Sequence, residues 1–224
     1  MSKKYELTNY NESTNLYQIK ALRDIPEYFV EKGDLGGFVE SEANLSHEGS
    51  CWVSNEAIVR DTAEVSGNAQ VFDRAQVYGS ARVFDLAIVR AEAQVYDWAK
   101  VYGASIISGK AQVSDLAQVL AHARVFDLAI VRAEAEVSGE AKVYGEAQVY
   151  GRAQVSGEAK VSSFAQVYGS AKVSGKAIVC AEAKVYGSAQ VSGASLISGS
   201  THVDYHQCKT FGCDLTQPLD KNFL

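Results

Sequence analysis

Residues Ala141-Lys142-Val143-Tyr144-Gly145-Glu146 and Ala147-Gln148-Val149-Tyr150-Gly151-Arg152 are one six-residue unit written twice. The period extends outward in both directions. From Val53 to Val203 every sixth residue is Val, with Ile only at 107 and 197. Two positions before each stands Ala, replaced only by Cys51, Ser105, Ser195 and Thr201. The Ala-x-Val spacing puts both apolar side chains on one face of a short strand, because successive side chains in a strand alternate sides. A helix needs spacings of three and four, which a strict six does not supply. Two residues after each Val, Gly or Asp recurs, and these residue types tolerate the positive φ of a sharp corner.

Strands this short cannot bury a core alone, so they must coil and stack, each coil bonding to those above and below. Three hexads per turn predict an all-β, single-chain parallel β-helix of about nine coils, roughly 40 Å long at a strand spacing of about 4.8 Å. The organisation read from the sequence is a β cap over 1–42, the repeat over 43–205 and a C-terminal cap or tail over 206–224. Leu16 to Leu22 reads as a strand, and Gly33 to Phe38 as a turn leading into the repeat. Leu45 is placed in an imperfect first coil.

Composition narrows the function classes. The chain has 224 residues, is 47% apolar and has a net charge of −6. Residues 1–50 carry five basic and nine acidic side chains, so most of the imbalance lies there and the repeat is close to neutral. Neither a basic stripe for nucleic acid nor the dense acidic face of a DNA mimic is present. No apolar run approaches a membrane span and no secretory leader is evident, so a cytoplasmic protein without membrane or nucleic-acid partners is expected. The four cysteines lack the spacing of a disulfide framework.

The hexads resemble the hexapeptide-repeat superfamily of left-handed, three-sided parallel β-helices, many of them acyltransferases. Gly falls one place later here than in most of those proteins. The head, with Lys4-Tyr5-Glu6-Leu7, Gly33-Asp34-Leu35-Gly36-Gly37-Phe38 and Cys51-Trp52-Val53, is similar to YdcK-like proteins common in bacteria and in phage or prophage genomes. The resemblance implies the left hand and the prism. It also implies a bacterial host cytoplasm and either a transferase or a polymer-forming protein.

Folding the sequence at 18 residues per coil predicts the faces. One carries Tyr78, Tyr96, Ser114, Arg132, Tyr150, Tyr168 and Tyr186 beside a column of Gln. Another changes from Phe84, Tyr102 and Leu120 to Ser138, Ser156, Ser174 and Ser192. At the corners of the central coils the polar residue gives way to Leu86, Trp98, Leu116 and Leu128. With Phe84, Leu120, Phe126, Tyr78 and Tyr96 these form the expected contact surface over 84–128, because exposed apolar clusters usually mean contact.

Candidate chemistry is sparse. The acyltransferases use a His base near a loop leaving the coil; His122 is the sole His within the body of the repeat, which has no inserted loop. The three-His zinc site of the related carbonic anhydrases is not expected, since His47, His122, His202 and His206 lie far apart. His202-x3-His206-x-Cys208-x4-Cys213 offers ligand types for a structural zinc at the C-terminal end, and no other cofactor is expected. The expectation is a non-catalytic interaction or assembly protein, a dimer or trimer, which could also engage a host protein. The alternatives are an acyltransferase and a protein that sequesters a small nucleotide signal.

Overall fold

The computed structural model describes residues 3–204 and, as backbone, strands Gln207–Cys208 and Asp214–Leu215. It is a parallel β-solenoid without an α-helix among the described residues. Each hexad supplies a two-residue strand, and each strand pairs in parallel with the one 18 residues on, as Gln94 does with Gln112 and Lys100 with Gln118. The chain visits three sheets in turn, of 12, 10 and 9 strands among the described residues. We call them the glutamine face (Gln76, Gln94, Gln112), the second face (Arg82, Lys100, Gln118) and the third face (Ile88, Ile106, Arg124).

The inner columns explain the sequence. Every Val of the repeat, and Ile107 and Ile197, is fully buried. The small position must stay small because it shares that interior. Where it is Ser, the hydroxyl finds an acceptor three residues back, across the preceding corner: Ser105 Oγ donates to the Tyr102 carbonyl at 2.9 Å, and Ser195 Oγ to the Ser192 carbonyl at 2.7 Å. A buried hydroxyl left without such a bond would be destabilising.

The corners follow the expected chemistry and add to it. Every sixth residue from Gly49 to Gly199 has a positive φ near 60–70°. Most are Gly, Asp or Asn, yet Ala91, Ala121, Ala133, Ala181 and Ser163 adopt it too. Two of these alanines sit one coil above an Asp whose carboxylate accepts their amide: Ala91 on Asp73 at 3.1 Å and Ala133 on Asp115 at 2.9 Å. Asp85 and Asp127 accept from Gly103 and Gly145 in the same way. Corner Asp is therefore a bracket between coils as well as a turn former. Ion pairs one coil apart, Glu56–Arg74, Glu64–Arg82, Glu92–Lys110, Glu134–Arg152 and Glu158–Lys176, line the exterior. Being exposed, each contributes at most about 1 kcal/mol.

Outside the paired strand residues, the backbone hydrogen bonds between coils run one way. Trp52, Ser54 and Ile58 donate to Ala69, Val71 and Ala75 on the next coil, and the pattern repeats along the rod. The first coil consequently presents unpaired carbonyls at its open edge, which requires donors to cover it. The N-terminal segment supplies them. Strands β1 (Tyr5–Asn11) and β2 (Leu16–Ala21) form an antiparallel hairpin that β3 (Leu35–Val39) joins to the glutamine face. From it, Lys4 Nζ donates to the Cys51 carbonyl (2.7 Å), Tyr5 to that of Leu45 (2.7 Å) and Arg23 to that of Gly49 (3.2 Å).

The structure corrects the expected turn at 33–38. Leu35–Val39 is a strand, with Phe38 and Val39 paired to Ile58 and Val59, while Leu45, in the first coil, bridges to Val65 one coil on. Gly36-Gly37 serves close approach: a Cβ on Gly36 would lie 2.6 Å from both Ile19 Cγ1 and the Val53 carbonyl oxygen. Gly36→Ala is expected to destabilise the fold by about 1–3 kcal/mol through this overpacking. Urea denaturation should show a lower midpoint with an unchanged slope.

The cap also carries an acid-sensitive element. His47 stacks on Tyr5 (4.3 Å between centroids), its Nδ1 accepts the Lys4 amide, and its buried Nε2 has no partner. Burial, opposed by nearby Glu42, holds its pKa below the usual histidine value. Because the unfolded chain takes up that proton first, stability from this group is present above about pH 6.5 and is lost as pH falls below it. The thermal midpoint should drop between pH 7 and pH 5 by less in His47→Gln than in the parent.

Candidate contact surface

Three consecutive coils turn an aromatic and aliphatic belt around the edge between the glutamine and second faces. The first row carries Tyr78 and Phe84. The second carries Tyr96, Trp98 and Tyr102, and the third Ser114, Leu116 and Leu120. Tyr78 stacks on Tyr96 at 5.0 Å and Phe84 on Tyr102 at 4.8 Å, with the planes of each pair nearly parallel. The parallel strand register imposes this: identical positions on successive coils sit one strand spacing apart, which suits ring on ring.

The two faces hold their rings half-buried, whereas the edge projects. Trp98 is 63% exposed and Leu116 56%, and Leu86, on the far flank of the second face, is 59% exposed. Their exposure follows from the corner geometry. Asp97 and Asp115 take the positive φ, and the next side chain points away from the core. The Arg60 guanidinium lies 5.1 Å from the Tyr78 ring centre and closes the tyrosine column at its lower end. Burial, together with the neighbouring Tyr96, pushes the Tyr78 pKa up from the ordinary tyrosine value.

The expected surface over 84–128 is thus gathered in part. Tyr78, Phe84, Leu86, Tyr96, Trp98, Leu116 and Leu120 share the belt. Phe126 and Leu128 do not, because they belong to the third face and the edge after it, where Phe126 stacks on Tyr144 at 4.9 Å. A sequence span of more than two coils necessarily circles the rod, so nearness in sequence does not mean one face. Three exposed aromatics, Tyr10, Phe29 and Phe164, escaped the sequence reading. Phe164, 57% exposed, stands at a corner after Ser163 rather than Asp, and Phe29, 94% exposed, lies in the non-repeating cap at φ 56°. For Phe164 the available signal was an apolar residue in the polar corner slot.

The glutamine face carries a second ladder, Tyr150, Tyr168 and Tyr186, stacked at 4.9 and 5.2 Å and headed by Arg132. There the adjoining edge holds Arg152, Ser170 and Ser188, and the second face holds Ser156, Ser174 and Ser192. The same ladder therefore occurs with an apolar flank and with a polar one.

His122 is exposed at a corner. Glu140, one coil further, together with Arg124 and Lys142, lines a shallow hollow of about 230 Å³ beside it. No hydrogen bond orients the imidazole among the described residues. Of the C-terminal candidates, His202 pairs in register with Lys184, and Cys208 takes the register position of a repeat Val, opposite Val191. His206, Cys213 and the side chain of Cys208 lie outside the described residues. Among the described residues no three His, Cys, Asp or Glu side chains gather as a metal site, and no helix is long and apolar enough to cross a membrane. No family model matches this chain, and no curated protein is significantly similar to it.

Proposed function

We propose that this chain is a non-catalytic assembly module whose belt over Tyr78–Leu120 packs against a second copy of itself. The observation that carries the reading is the contrast between the two tyrosine ladders. Beside Tyr150–Tyr186 the edge towards the second face carries Arg152, Ser170 and Ser188, so a tyrosine ladder alone does not require an apolar row on that edge. The belt adds Trp98, Leu116 and Leu86, all more than half exposed, at the places where other corners carry Ser, Glu, Lys or Arg. Water disfavours such a cluster, and Trp and Tyr are the residues that dominate the energetics of buried contacts.

The belt is also suited to self-contact. It combines a projecting row (Trp98, Leu116) with a flatter face (Phe84, Tyr102, Leu120), so a two-fold arrangement lays each row on the other copy's face. The resemblance to YdcK-like proteins described as polymer-forming points the same way. The chain has two Trp, of which Trp52 is buried. In a Trp52→Phe chain, emission from Trp98 is expected to shift to the blue as concentration rises. Emission fixed at that of a water-exposed indole over the whole concentration range would overturn the proposal.

A further inference from the structure

The small position of the first coil is occupied by Cys51, which is fully buried. Against it lies a second fully buried reactive group, Lys4, whose Nζ stands 3.0 Å from Cys51 Sγ and 2.7 Å from the Cys51 carbonyl oxygen. Two further first-coil carbonyls, of Glu48 and Gly49, lie 3.5 Å from the amine. Cys51 Sγ itself faces the Ser46 carbonyl at 3.4 Å and that of Val65 at 3.6 Å. The pair comes together for a reason given by the fold. The first coil's unpaired carbonyls attract an amine, and the Ala column at this coil happens to carry a thiol.

We propose that Lys4 and Cys51 form a covalent sulfur–nitrogen crosslink when the protein meets hydrogen peroxide. Cys51 transfers its proton to Lys4, and the thiolate sulfur attacks one peroxide oxygen, breaking the O–O bond. The departing hydroxide takes a proton from the Lys4 ammonium. This step gives Cys51–SOH, Lys4–NH2 and water, with sulfur oxidised and peroxide reduced by two electrons. The Lys4 lone pair then attacks the sulfenic sulfur, the S–O bond breaks, and the hydroxyl leaves with a nitrogen-bound proton as a second water. The product is Cys51–S–NH–Lys4. Condensation of a sulfenic acid with a nearby nitrogen is an established fate of oxidised cysteine. Here the nitrogen is already at contact distance and shielded from bulk water.

Burial assists the second step, since it lowers the Lys4 pKa and so favours the free, nucleophilic amine. It opposes the first by raising the Cys51 pKa, while the adjacent amine works the other way. The groups facing the pair are Arg23, which donates to the Gly49 carbonyl, and His47, whose Nδ1 accepts the Lys4 amide. The crosslink ties the residue just before β1 to the first coil, so the cap can no longer peel from the carbonyl edge it covers.

The test treats the full chain with hydrogen peroxide, blocks free thiols and maps tryptic peptides. The expected product joins the peptide beginning at Lys4 to peptide 33–60, with the loss of two hydrogen atoms and no cleavage after Lys4. A thiol reductant should release it. The thermal midpoint should rise on oxidation and return on reduction. Cys51→Ala, which restores the residue usual at this position and so keeps the fold, should show neither change. Cys180, half-buried on the third face, serves as an internal control and should not join Lys4. Oxidation of Cys51 to sulfinic or sulfonic acid with Lys4 free, or an unmodified pair under conditions that oxidise Cys180, would overturn the proposal.

Discussion

Val155→Asp is expected to destabilise the rod by more than about 4 kcal/mol, whereas Gln154→Lys, one residue away, should change stability by no more than about 0.5 kcal/mol. Val155 is fully buried and paired in register with Val137 and Val173, so its whole surroundings are the Val and Ala columns. A carboxylate there would have neither a cation nor a hydrogen-bond donor, and an uncompensated buried charge is among the few single changes with effects this large. Gln154 points outward between Glu136 and Lys172 on the second face, where a lysine only exchanges one exposed group for another. Because each coil contacts only its neighbours, the damage should be local before it is global. Hydrogen exchange should find the coils around 155 opening first, ahead of those near the N-terminal cap.

The second large effect concerns association. Replacing Trp98 by Glu is expected to weaken self-association about 30-fold or more, which corresponds to the roughly 2 kcal/mol that defines an energetic hot spot. Leu116→Glu, one coil further on the same edge, should act in the same direction. Ser170→Glu occupies that edge four coils beyond Trp98, beside the polar half of the second face, and should leave association unchanged. Comparing the three separates the belt from a general effect of added negative charge. None of the three touches the Val or Ala columns, so monomer stability should be alike in all.

The residues that were legible in the sequence are those governed by the period. Val53 through Val203, the Ala column and the positive-φ corners could be read because each is dictated by the same local geometry many times over. The exposure of Leu86, Trp98, Leu116 and Leu128 was legible for the same reason, as departures from a pattern whose outward positions were known. Their grouping was only partly so. Phe126 and Leu128 turn onto another side, and separating them from Trp98 requires following each hexad to its own sheet.

Non-periodic contacts left no such trace. Lys4 reaching Cys51, Tyr5 reaching Leu45 and Gly36 yielding space to Ile19 join segments that do not repeat, so no spacing announces them. The need for donors in the cap follows from the one-way backbone hydrogen bonds at the corners and strand flanks, which no spacing in the sequence announces. Glu140 is a related case. It stands on the same corner column as His122, yet Arg124 and Lys142 complete the hollow from the neighbouring face, which a column-by-column reading does not join.

Sedimentation equilibrium of the parent chain beside Trp98→Glu tests the assembly proposal most directly. The parent should sediment at twice the chain mass or more at micromolar concentration, and Trp98→Glu should shift towards the single-chain mass. A parent that stays at the single-chain mass at every concentration, or a Trp98→Glu chain that associates as strongly as the parent, would contradict the belt as the contact surface.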